Sequence, residues 1–443
     1  MKLSDRAARA AWWPSDRTQR RWLAGFLLAG LVLRVAWVAY AAREPNLFNS
    51  GDPWAYLQHG REIAAGRGYH NLVSTQPTAF YPIGYPLFIA LFAWPVQHGF
   101  APDDVTRLVG LAQALLGTAT ALFVWVVARR AFGSTIALAS AALVALWPGL
   151  ILLTASLNLE TLFVALVLGS LAVVASRPGD DLPSIRRLLV AGALLGLSAL
   201  VRPFSLPILV ALVVGFTIMR GWRVALAATV VVAIPVVVVL APLVIRNEHQ
   251  LGTTALSTNM GETFCLDHRV DAFGYFTYPP ECFSGFDNVP ASDIERVRND
   301  EDLRRGLRFI RDHPLTEVKL IGLRARYMVD GDHDGILGIE ANDNTPFLPS
   351  ALRSALEGVA DWWYWVSLPL ALLGIPLALR TRQGERADRV LLLATAAILT
   401  VIPLELYGYT RFHVPVIPFQ AMLTAITLLW IADRRPHARR RPS

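Results

Sequence analysis

The sequence predicts an all-α polytopic membrane protein, a bundle of about ten transmembrane helices whose extracytoplasmic loops carry juxtamembrane helices. Hydrophobic residues make up 54% of the 443-residue chain and charged residues only 17%, against about 25% charged residues in a typical soluble domain. The mean hydropathy is +0.43. The apolar residues are gathered into runs that approach the length of a membrane span, about 20 residues.

These apolar runs are separated by connections that differ in charge. The runs lie at 22–42, 106–128, 134–153, 158–176, 188–201, 205–219, 224–245, 362–379, 388–405 and 414–432. Basic residues follow every second run, and the N-terminus is also basic. The positive-inside rule then places both termini in the cytoplasm of a multi-pass plasma-membrane protein. This topology explains the net charge of +7, so no nucleic-acid partner is expected.

Two segments leave the number of spans open. The run 22–42 ends in Ala39-Tyr40-Ala41, which resembles a signal-peptidase site, but a signal core has only about 7–15 apolar residues, so a membrane anchor is favoured. Segment 84–98 is apolar and contains prolines. Its length and composition favour an interfacial or re-entrant helix over a span.

Residues outside the membrane are expected in two places, which we call the first loop (43–105) and the second loop (246–361). The predicted organisation is an N-terminal transmembrane module (1–245) that contains the first loop, the second loop as an extracytoplasmic domain, and C-terminal transmembrane helices with a basic cytoplasmic tail (362–443). The cysteines of the chain, Cys265 and Cys282, both lie in the second loop. In an oxidising compartment they predict a disulfide, with two reduced thiols as the alternative.

Several motifs, taken in order, resemble one family of membrane enzymes. They are Gly51-Asp52-Pro53-Trp54-Ala55-Tyr56, residues 64–69 and 77–86, Trp147-Pro148, residues 156–161 around Glu160, residues 196–203 ending in Arg202-Pro203, Ile245-Arg246-Asn247, residues 257–261 around Asn259, and Tyr409-Thr410-Arg411-Phe412-His413. On these motifs the chain resembles GT-C fold glycosyltransferases of the family 39 type. That group includes protein O-mannosyltransferases, bacterial aminoarabinose transferases and many actinobacterial members, so a bacterial and actinobacterial source is expected.

The resemblance implies inverting transfer of a hexose or pentose from a polyprenyl-phosphate donor. The acceptor would be an extracytoplasmic cell-envelope glycan, glycolipid or protein. Asp52 would be the catalytic base that takes the proton of the acceptor hydroxyl, and Glu160 would hold the acceptor or orient the base. The residues also allow plainer interpretations, in which Asp52 is a loop or helix-capping residue before Pro53 and Glu160 is a solvated loop residue.

The departing phosphate needs cations or hydrogen-bond donors, and an arginine offers a planar fork that matches phosphate oxygens. Arg202 and Arg411 are therefore predicted to contact the lipid phosphate, with ion pairing inside the bundle as the alternative. Tyr81 stands where the aminoarabinose transferases carry a lysine, which argues against that particular substrate. The other predicted substrate-binding residues are Tyr56, Tyr81, Tyr85, Arg246 and Asn259.

A metal site is not assigned. Residues 330–335 reproduce the first six positions of a calcium-binding EF-hand loop, but the twelfth position is Ala341 instead of glutamate. No cofactor is expected beyond the lipid-linked sugar donor, and a divalent cation is left open. The expected partners are membrane lipid, the donor and the acceptor.

The alternative function is a transporter or flippase for a lipid-linked sugar. Transporters usually contain internal repeats and broken helices near the membrane midplane. In this chain no repeat is evident, and the acidic candidates gather on one side. The sequence therefore favours a transferase.

Overall fold

The structure, a computed structural model, describes residues 16–45, 51–177, 181–340, 347–381 and 384–434. In these ranges the chain is helical, and its β pairing is limited to two isolated bridges, His70 with Pro77 and Tyr275 with Gly408. This confirms the predicted all-α class. Asn49, Ser50, Ala341 and most of the basic C-terminal tail lie outside the described residues.

The described α-helices are numbered in chain order. They are α1 (Arg17–Ala41), α2 (Asp52–Ala64), α3 (Gly84–Gln97), α4 (Val105–Phe132), α5 (Ser134–Ala145), α6 (Pro148–Leu152), α7 (Glu160–Ala175), α8 (Ile185–Val201), α9 (Ile208–Arg220), α10 (Trp222–Leu251), α11 (Asn259–Asp267), α12 (Ile294–Asp312), α13 (Pro314–Met328), α14 (Asp334–Glu340), α15 (Ser350–Arg380), α16 (Arg386–Leu404) and α17 (Ile417–Arg434). Short 3-10 turns occupy Leu153–Ala155, Pro203–Ser205, Pro280–Cys282 and Thr410–Val416.

The protein is a multi-pass membrane protein. Among the described residues seven helices are long and apolar enough to cross a membrane: Arg17–Ala41, Val105–Phe132, Pro203–Arg220, Trp222–Leu251, Ser350–Arg380, Arg386–Leu404 and Thr410–Arg434. An eighth candidate is the pair Ser134–Ala145 and Pro148–Ala155, which is bent by 50°.

The remaining two of the predicted runs are also helices, but they are short. The helix α7 has 16 residues and α8 has 17, fewer than the roughly 20 that a perpendicular span needs. The helix α7 is buried on almost every face, between α4 and α8. Segment 84–98 forms α3, which has 14 residues, packs on α2 and α4, and is not among the candidate spans.

Close helix packing depends in part on small residues. At Gly192, on α8, a β-carbon would collide with the carbonyl oxygen of Val232 on α10. Only glycine lets these two backbones approach so closely, as is common between membrane helices. The pair α8 and α10 forms one of the most extensive helix contacts of the bundle.

The bend between α5 and α6 is stabilised by a buried arginine of α1. Arg34 donates to the carbonyl oxygens of Gly30 (3.1 Å), Ala145 (2.6 Å) and Val144 (3.2 Å). The last two carbonyls are at the end of α5, where the helix stops and its own hydrogen bonds are lost. Arg34 is fully buried, and this pairing with carbonyls explains how its charge is tolerated inside a span.

The two ends of the bundle differ in chemistry. At one end, which we call the basic end, Arg177 forms a two-pronged ion pair with Asp388 at 2.9 and 2.7 Å, and Arg130 adds a contact at 3.3 Å. At the other end, which we call the site end, the starts of α2 and α7, the break after α8 and the turn Thr410–Val416 converge. The predicted acidic residues lie there.

Candidate functional site

Asp52 is held by two groups from distant parts of the chain. It is the first residue of α2, with Pro53 in the first helical turn. The Tyr81 hydroxyl donates to its Oδ1 at 2.9 Å, and Arg411 donates to its Oδ2 at 2.5 Å. The Asp52 side chain is still 24% exposed, so it is not sealed inside the bundle.

The surroundings of Asp52 keep its carboxyl ionised. Burial raises the pKa of Asp52, but the charge and hydrogen bond of Arg411, the hydrogen bond of Tyr81 and the charge of Arg202 lower it more, so the net pKa lies below its usual range. These neighbours favour the charged form. The carboxylate is thus available to accept a proton, although Arg411 weakens its basicity while the two are paired.

A second ion pair lies beside the first. Arg202 donates to Oε1 of Glu160 at 2.9 Å, and Glu160 is fully buried. The other carboxylate oxygen, Oε2, is buried and has no hydrogen-bond partner among the described residues. Arg202 lies among three phenylalanine rings, with its guanidinium carbon 5.4 to 6.0 Å from their centroids. Arg202 is therefore engaged with Glu160 in the structure, which is the arrangement named above as the alternative to phosphate contact.

Three predicted tyrosines pack together behind the acidic residues. The Tyr56 ring contacts the Tyr81 and Tyr85 rings edge-on, at centroid distances of 5.1 and 5.2 Å. Tyr85 is fully buried, and its hydroxyl donates to Gln113 at 3.0 Å. Tyr56 and Tyr81 thus border Asp52, whereas Tyr85 anchors the group in the core. Gln113 was not predicted, since a lone glutamine in an apolar run gives no functional signal.

Arg246 connects two loop segments, whereas the hydrogen bond of Asn259 is local. Arg246 donates to the carbonyl oxygens of Thr78 at 2.6 Å and Tyr69 at 2.5 Å, both in the first loop. Asn259 accepts a hydrogen bond from the Ser257 hydroxyl at 2.7 Å. In the structure neither side chain contacts the Asp52 carboxylate, so any contact with a substrate would be further from that centre.

Glu295, which was not among the residues predicted from the sequence, joins the two loops. Glu295, at the start of α12, accepts hydrogen bonds from the Thr78 hydroxyl and the Ala79 amide at 2.7 Å and from the Thr258 hydroxyl at 2.5 Å. It lies in a highly charged amphipathic stretch, where one acid cannot be told from the others by pattern. These bonds fix the segment of the first loop that carries Tyr81.

Two acidic residues of the segment 330–335, Asp332 and Asp334, are buried and bonded inside the protein, while Asp330 is exposed. Asp332 accepts a hydrogen bond from the Trp147 indole at 2.6 Å, and its other oxygen is 3.1 Å from Nε2 of His413. Asp334 accepts from the Thr410 hydroxyl at 2.7 Å, and burial raises the pKa of Asp334 to about 6. In the part of the chain that the structure describes, no group of three or more His, Cys, Asp or Glu residues is arranged to hold a metal ion. The contacts of Asp332 with His413 and of Asp334 with Thr410 fix the turn Thr410–Val416, which presents Arg411.

Cys265 and Cys282 form a disulfide, with their Cα atoms 5.9 Å apart. It joins the end of α11 to the turn Pro280–Cys282. The bond lies in the second loop, at the site end of the bundle.

Comparisons with known proteins bear on the fold and on part of the sequence. Residues 86–245 match the family model of dolichyl-phosphate-mannose-protein mannosyltransferases. This range contains Glu160 and Arg202, while Asp52, Tyr81 and Arg411 lie outside it. None of the curated proteins matches the chain.

Among solved structures, the oligosaccharyltransferase AglB of Archaeoglobus fulgidus in complex with an inhibitory peptide and a dolichol-phosphate is similar at a TM-score of 0.53 and 14% identity, over 94% of this chain and 51% of that one. The Archaeoglobus fulgidus oligosaccharyltransferase tethered to an acceptor peptide is similar at a TM-score of 0.50 and 14% identity, over 93% of this chain and 50% of that one. ArnT from Cupriavidus metallidurans bound to undecaprenyl phosphate is similar at a TM-score of 0.41 and 16% identity, over 93% of this chain and 78% of that one.

The chain thus spans about half the length of the archaeal oligosaccharyltransferases. At these identities the likeness concerns the fold alone, a GT-C-like bundle of membrane helices.

Proposed function

We propose that this protein transfers a sugar, with inversion, from a polyprenyl-phosphate donor to an acceptor hydroxyl on the extracytoplasmic side of the membrane. The observation that carries the proposal is the state of Asp52. An ionised, partly exposed carboxylate lies at the end of a membrane bundle, beside a guanidinium group that can bind phosphate. A base and a phosphate-binding cation side by side are what this reaction requires.

The proposed reaction is balanced in protons and charge. The acceptor oxygen forms a bond to the anomeric carbon, and the bond between that carbon and the phosphate oxygen breaks. The electron pair of the broken bond stays on the phosphate, which gains one negative charge. Asp52 takes the acceptor proton, and Arg411 stabilises the phosphate.

The remaining predicted residues receive supporting roles. Arg202 neutralises Glu160 and keeps it in place, and the free Oε2 of Glu160 is available to accept a hydrogen bond from the acceptor. Tyr56 and Tyr81 shape the space beside Asp52. Arg246 holds the first loop against the start of the second, and Asn259 braces Ser257.

Two facts support the choice of donor, and two more support the choice of membrane side. The matched family model is named for enzymes that use a dolichyl-phosphate sugar, and the similar AglB structure contains a dolichol-phosphate. The disulfide at the site end favours an oxidising, extracytoplasmic compartment. Basic residues at the opposite end, such as Arg130 and Arg177, fit a cytoplasmic location.

The experiment that tests the proposal replaces Asp52 with asparagine. Purified full-length protein in nanodiscs is given a synthetic polyprenyl-phosphate sugar and cell-envelope acceptors, and release of the sugar from the lipid is followed. We expect Asp52→Asn to lower turnover at least about a hundredfold, the usual range for loss of a general base, without weakening donor binding. Asp103→Asn, an exposed acid of the same loop, is the matched control and should keep wild-type turnover. Wild-type turnover in Asp52→Asn would overturn the proposal.

A further inference from the structure

Aromatic side chains of both loops and Tyr407, linked in two places by Arg298 and Arg411, form a series of contacts that begins and ends at Asp52. On one side, Tyr81 binds Asp52 and contacts the Phe80 ring at 5.0 Å. The guanidinium carbon of Arg298 lies 6.0 Å from the Phe80 ring and 5.5 Å from the Phe283 ring. This half of the series crosses from the first loop to the second.

The other half returns to Asp52 through the C-terminal part of the chain. The Phe283 ring is 5.7 Å from Tyr278, Tyr278 is 4.8 Å from Phe276, and Phe276 is 5.2 Å from Tyr407. Tyr407 lies within electrostatic reach of Arg411, which binds Asp52. We call the six aromatic residues of the series the aromatic collar: Phe80, Tyr81, Phe276, Tyr278, Phe283 and Tyr407.

Part of the aromatic collar faces solvent, next to charged groups. The Tyr278 side chain is 72% exposed and Phe283 is 37% exposed. Burial and then the charges of Glu262 and Asp52 raise the pKa of the Tyr278 phenol, so this hydroxyl lies within electrostatic reach of both carboxylates. Glu262 in turn forms an ion pair with Arg298. Exposed aromatic faces are therefore interleaved with charged and hydrogen-bonding groups along the series that leads to Asp52.

We propose that the aromatic collar is a carbohydrate-binding subsite, in which the acceptor places a sugar ring against Tyr278 and Phe283 so that its hydroxyl reaches Asp52. The proposal rests on the function proposed above and narrows its acceptor to a glycan or a glycolipid headgroup. The C–H face of a sugar ring packs on an aromatic face, while its hydroxyls seek charged or phenolic partners. Glu262, Arg298 and the Tyr278 hydroxyl supply such partners at the edge of the rings.

The same charges argue against insertion of the aromatic collar into the bilayer. Aromatic anchors at a membrane interface place an apolar body in lipid. Here the charges of Glu262 and Asp52 contribute to raising the pKa of the exposed Tyr278 phenol, and moving carboxylates toward the hydrocarbon is costly. A sugar ring brings hydroxyls that can satisfy these groups, whereas lipid chains bring none.

The aromatic collar is also held in place before any ligand binds. The disulfide joins Cys282, the neighbour of Phe283, to Cys265, three residues after Glu262. The amide of Gly408, next to Tyr407, donates to the carbonyl of Gly274 at 2.8 Å. A ligand therefore has less loop disorder to overcome, which favours binding.

The test measures glycan binding directly, without turnover. Saturation-transfer NMR would be recorded on the full-length protein in nanodiscs with methyl mannoside, methyl galactoside, methyl arabinoside and short oligomers of these sugars, and with a Ser/Thr-rich peptide. We expect at least one sugar probe to bind. Tyr278→Ala should weaken that binding about 3- to 10-fold, the range for loss of one stacked ring, and Tyr278→Phe should recover most of it. The matched control is Phe273→Ala, which removes an exposed ring of the same segment (47% exposed) that is not in the aromatic collar, and which should change nothing.

The outcomes separate this proposal from the one it rests on. Sugar binding that is lost in Tyr278→Ala and retained in Asp52→Asn supports the aromatic collar even if no sugar transfer is ever observed. If sugar transfer needs Asp52 but Tyr278→Ala leaves both sugar binding and the acceptor KM unchanged, the aromatic collar is not a sugar-binding subsite. The proposed transferase function is then unaffected. Binding of the peptide in place of every sugar probe also overturns it.

Discussion

Replacing Arg411 with glutamine should move the acid limb of the pH–rate profile to higher pH. In the proposed reaction Asp52 must be ionised to accept a proton. Arg411 favours the ionised form through its charge and its 2.5 Å hydrogen bond, while burial opposes it. Without the guanidinium, burial still raises the pKa of Asp52, and the main opposing influence is gone.

The size of the shift follows from the geometry. An opposite charge at this range usually lowers the pKa of a carboxyl by about 1–3 units. The hydrogen bond from Tyr81 and the charge of Arg202 remain, so we expect the acid limb to move up by about 1–2 pH units. Below the new pKa of Asp52, the rate should fall about tenfold for each unit of pH.

The assay is kcat/KM for the acceptor between about pH 4 and 9, at saturating donor. Arg411→Lys should leave the limb close to the wild-type position, because lysine keeps the charge although it loses the planar fork. Tyr81→Phe removes one hydrogen bond to the carboxylate, so its shift should have the same sign and be smaller. Arg220→Gln, at an exposed position outside the site, controls for a change in net charge. An acid limb that stays in place in Arg411→Gln would refute the assignment of Asp52 as the base that Arg411 controls.

Three further predictions concern stability. Asp388→Ala leaves the buried Arg177 without its carboxylate, so the free energy of unfolding should fall by about 3–5 kcal/mol, seen as a lower Tm in nanodiscs. Arg202→Ala leaves Glu160 buried and unpaired, so the free energy of unfolding should fall by a comparable amount and recover in part when Glu160→Gln is added. Normal stability combined with weak donor binding would instead favour direct contact between Arg202 and the phosphate. Cys282→Ser opens the disulfide and should destabilise the second loop by about 3 kcal/mol, read as faster local hydrogen exchange.

The control for the two ion pairs is an exposed one. Asp181 pairs with Arg220, and its side chain is 79% exposed. Surface ion pairs contribute about 0–1 kcal/mol, so Asp181→Ala should leave Tm nearly unchanged. An equal loss of Tm in Asp181→Ala and Asp388→Ala would contradict the role given to burial.

Much of the helical architecture could be predicted from the sequence because apolar runs and charge asymmetry are local signals. Each predicted run coincides with helix in the structure. The count of spans was less predictable: α7 and α8 have only 16 and 17 residues, and a helix buried inside the bundle need not reach both membrane surfaces. A one-dimensional pattern shows that a segment avoids water and does not show whether lipid or protein covers it.

The candidate residues could be predicted, but not their pairing. Asp52 and Arg411 are 359 positions apart, and Arg202 and Glu160 are 42 apart. Which arginine meets which acid depends on how helices pack, and nothing local records it. The sequence left the arginines open between phosphate contact and internal pairing, and in the structure both are paired.

The segment 330–335 shows why a local motif can mislead. Its spaced acids resemble the start of a calcium loop, yet Asp332 meets Trp147 and His413, from 185 and 81 positions away. An acid that orients an indole and an imidazole looks the same in the sequence as an acid that binds a cation. Only the arrangement in space separates the two.

The two ion pairs at the site end suit the proposed reaction. A single proton transfer to Asp52 would release Arg411 from its ion pair as the departing phosphate gains charge. Without substrate, Asp52, Glu160, Arg202 and Arg411 sum to zero charge, which a buried site tolerates. When Asp52 takes the acceptor proton, it becomes neutral and no longer holds Arg411. At the same moment the departing phosphate gains a negative charge. Arg411 would then bind the phosphate when its charge is largest, while Glu160 keeps Arg202 in place. Stabilisation that increases in the transition state lowers the barrier more than uniform binding of the donor would.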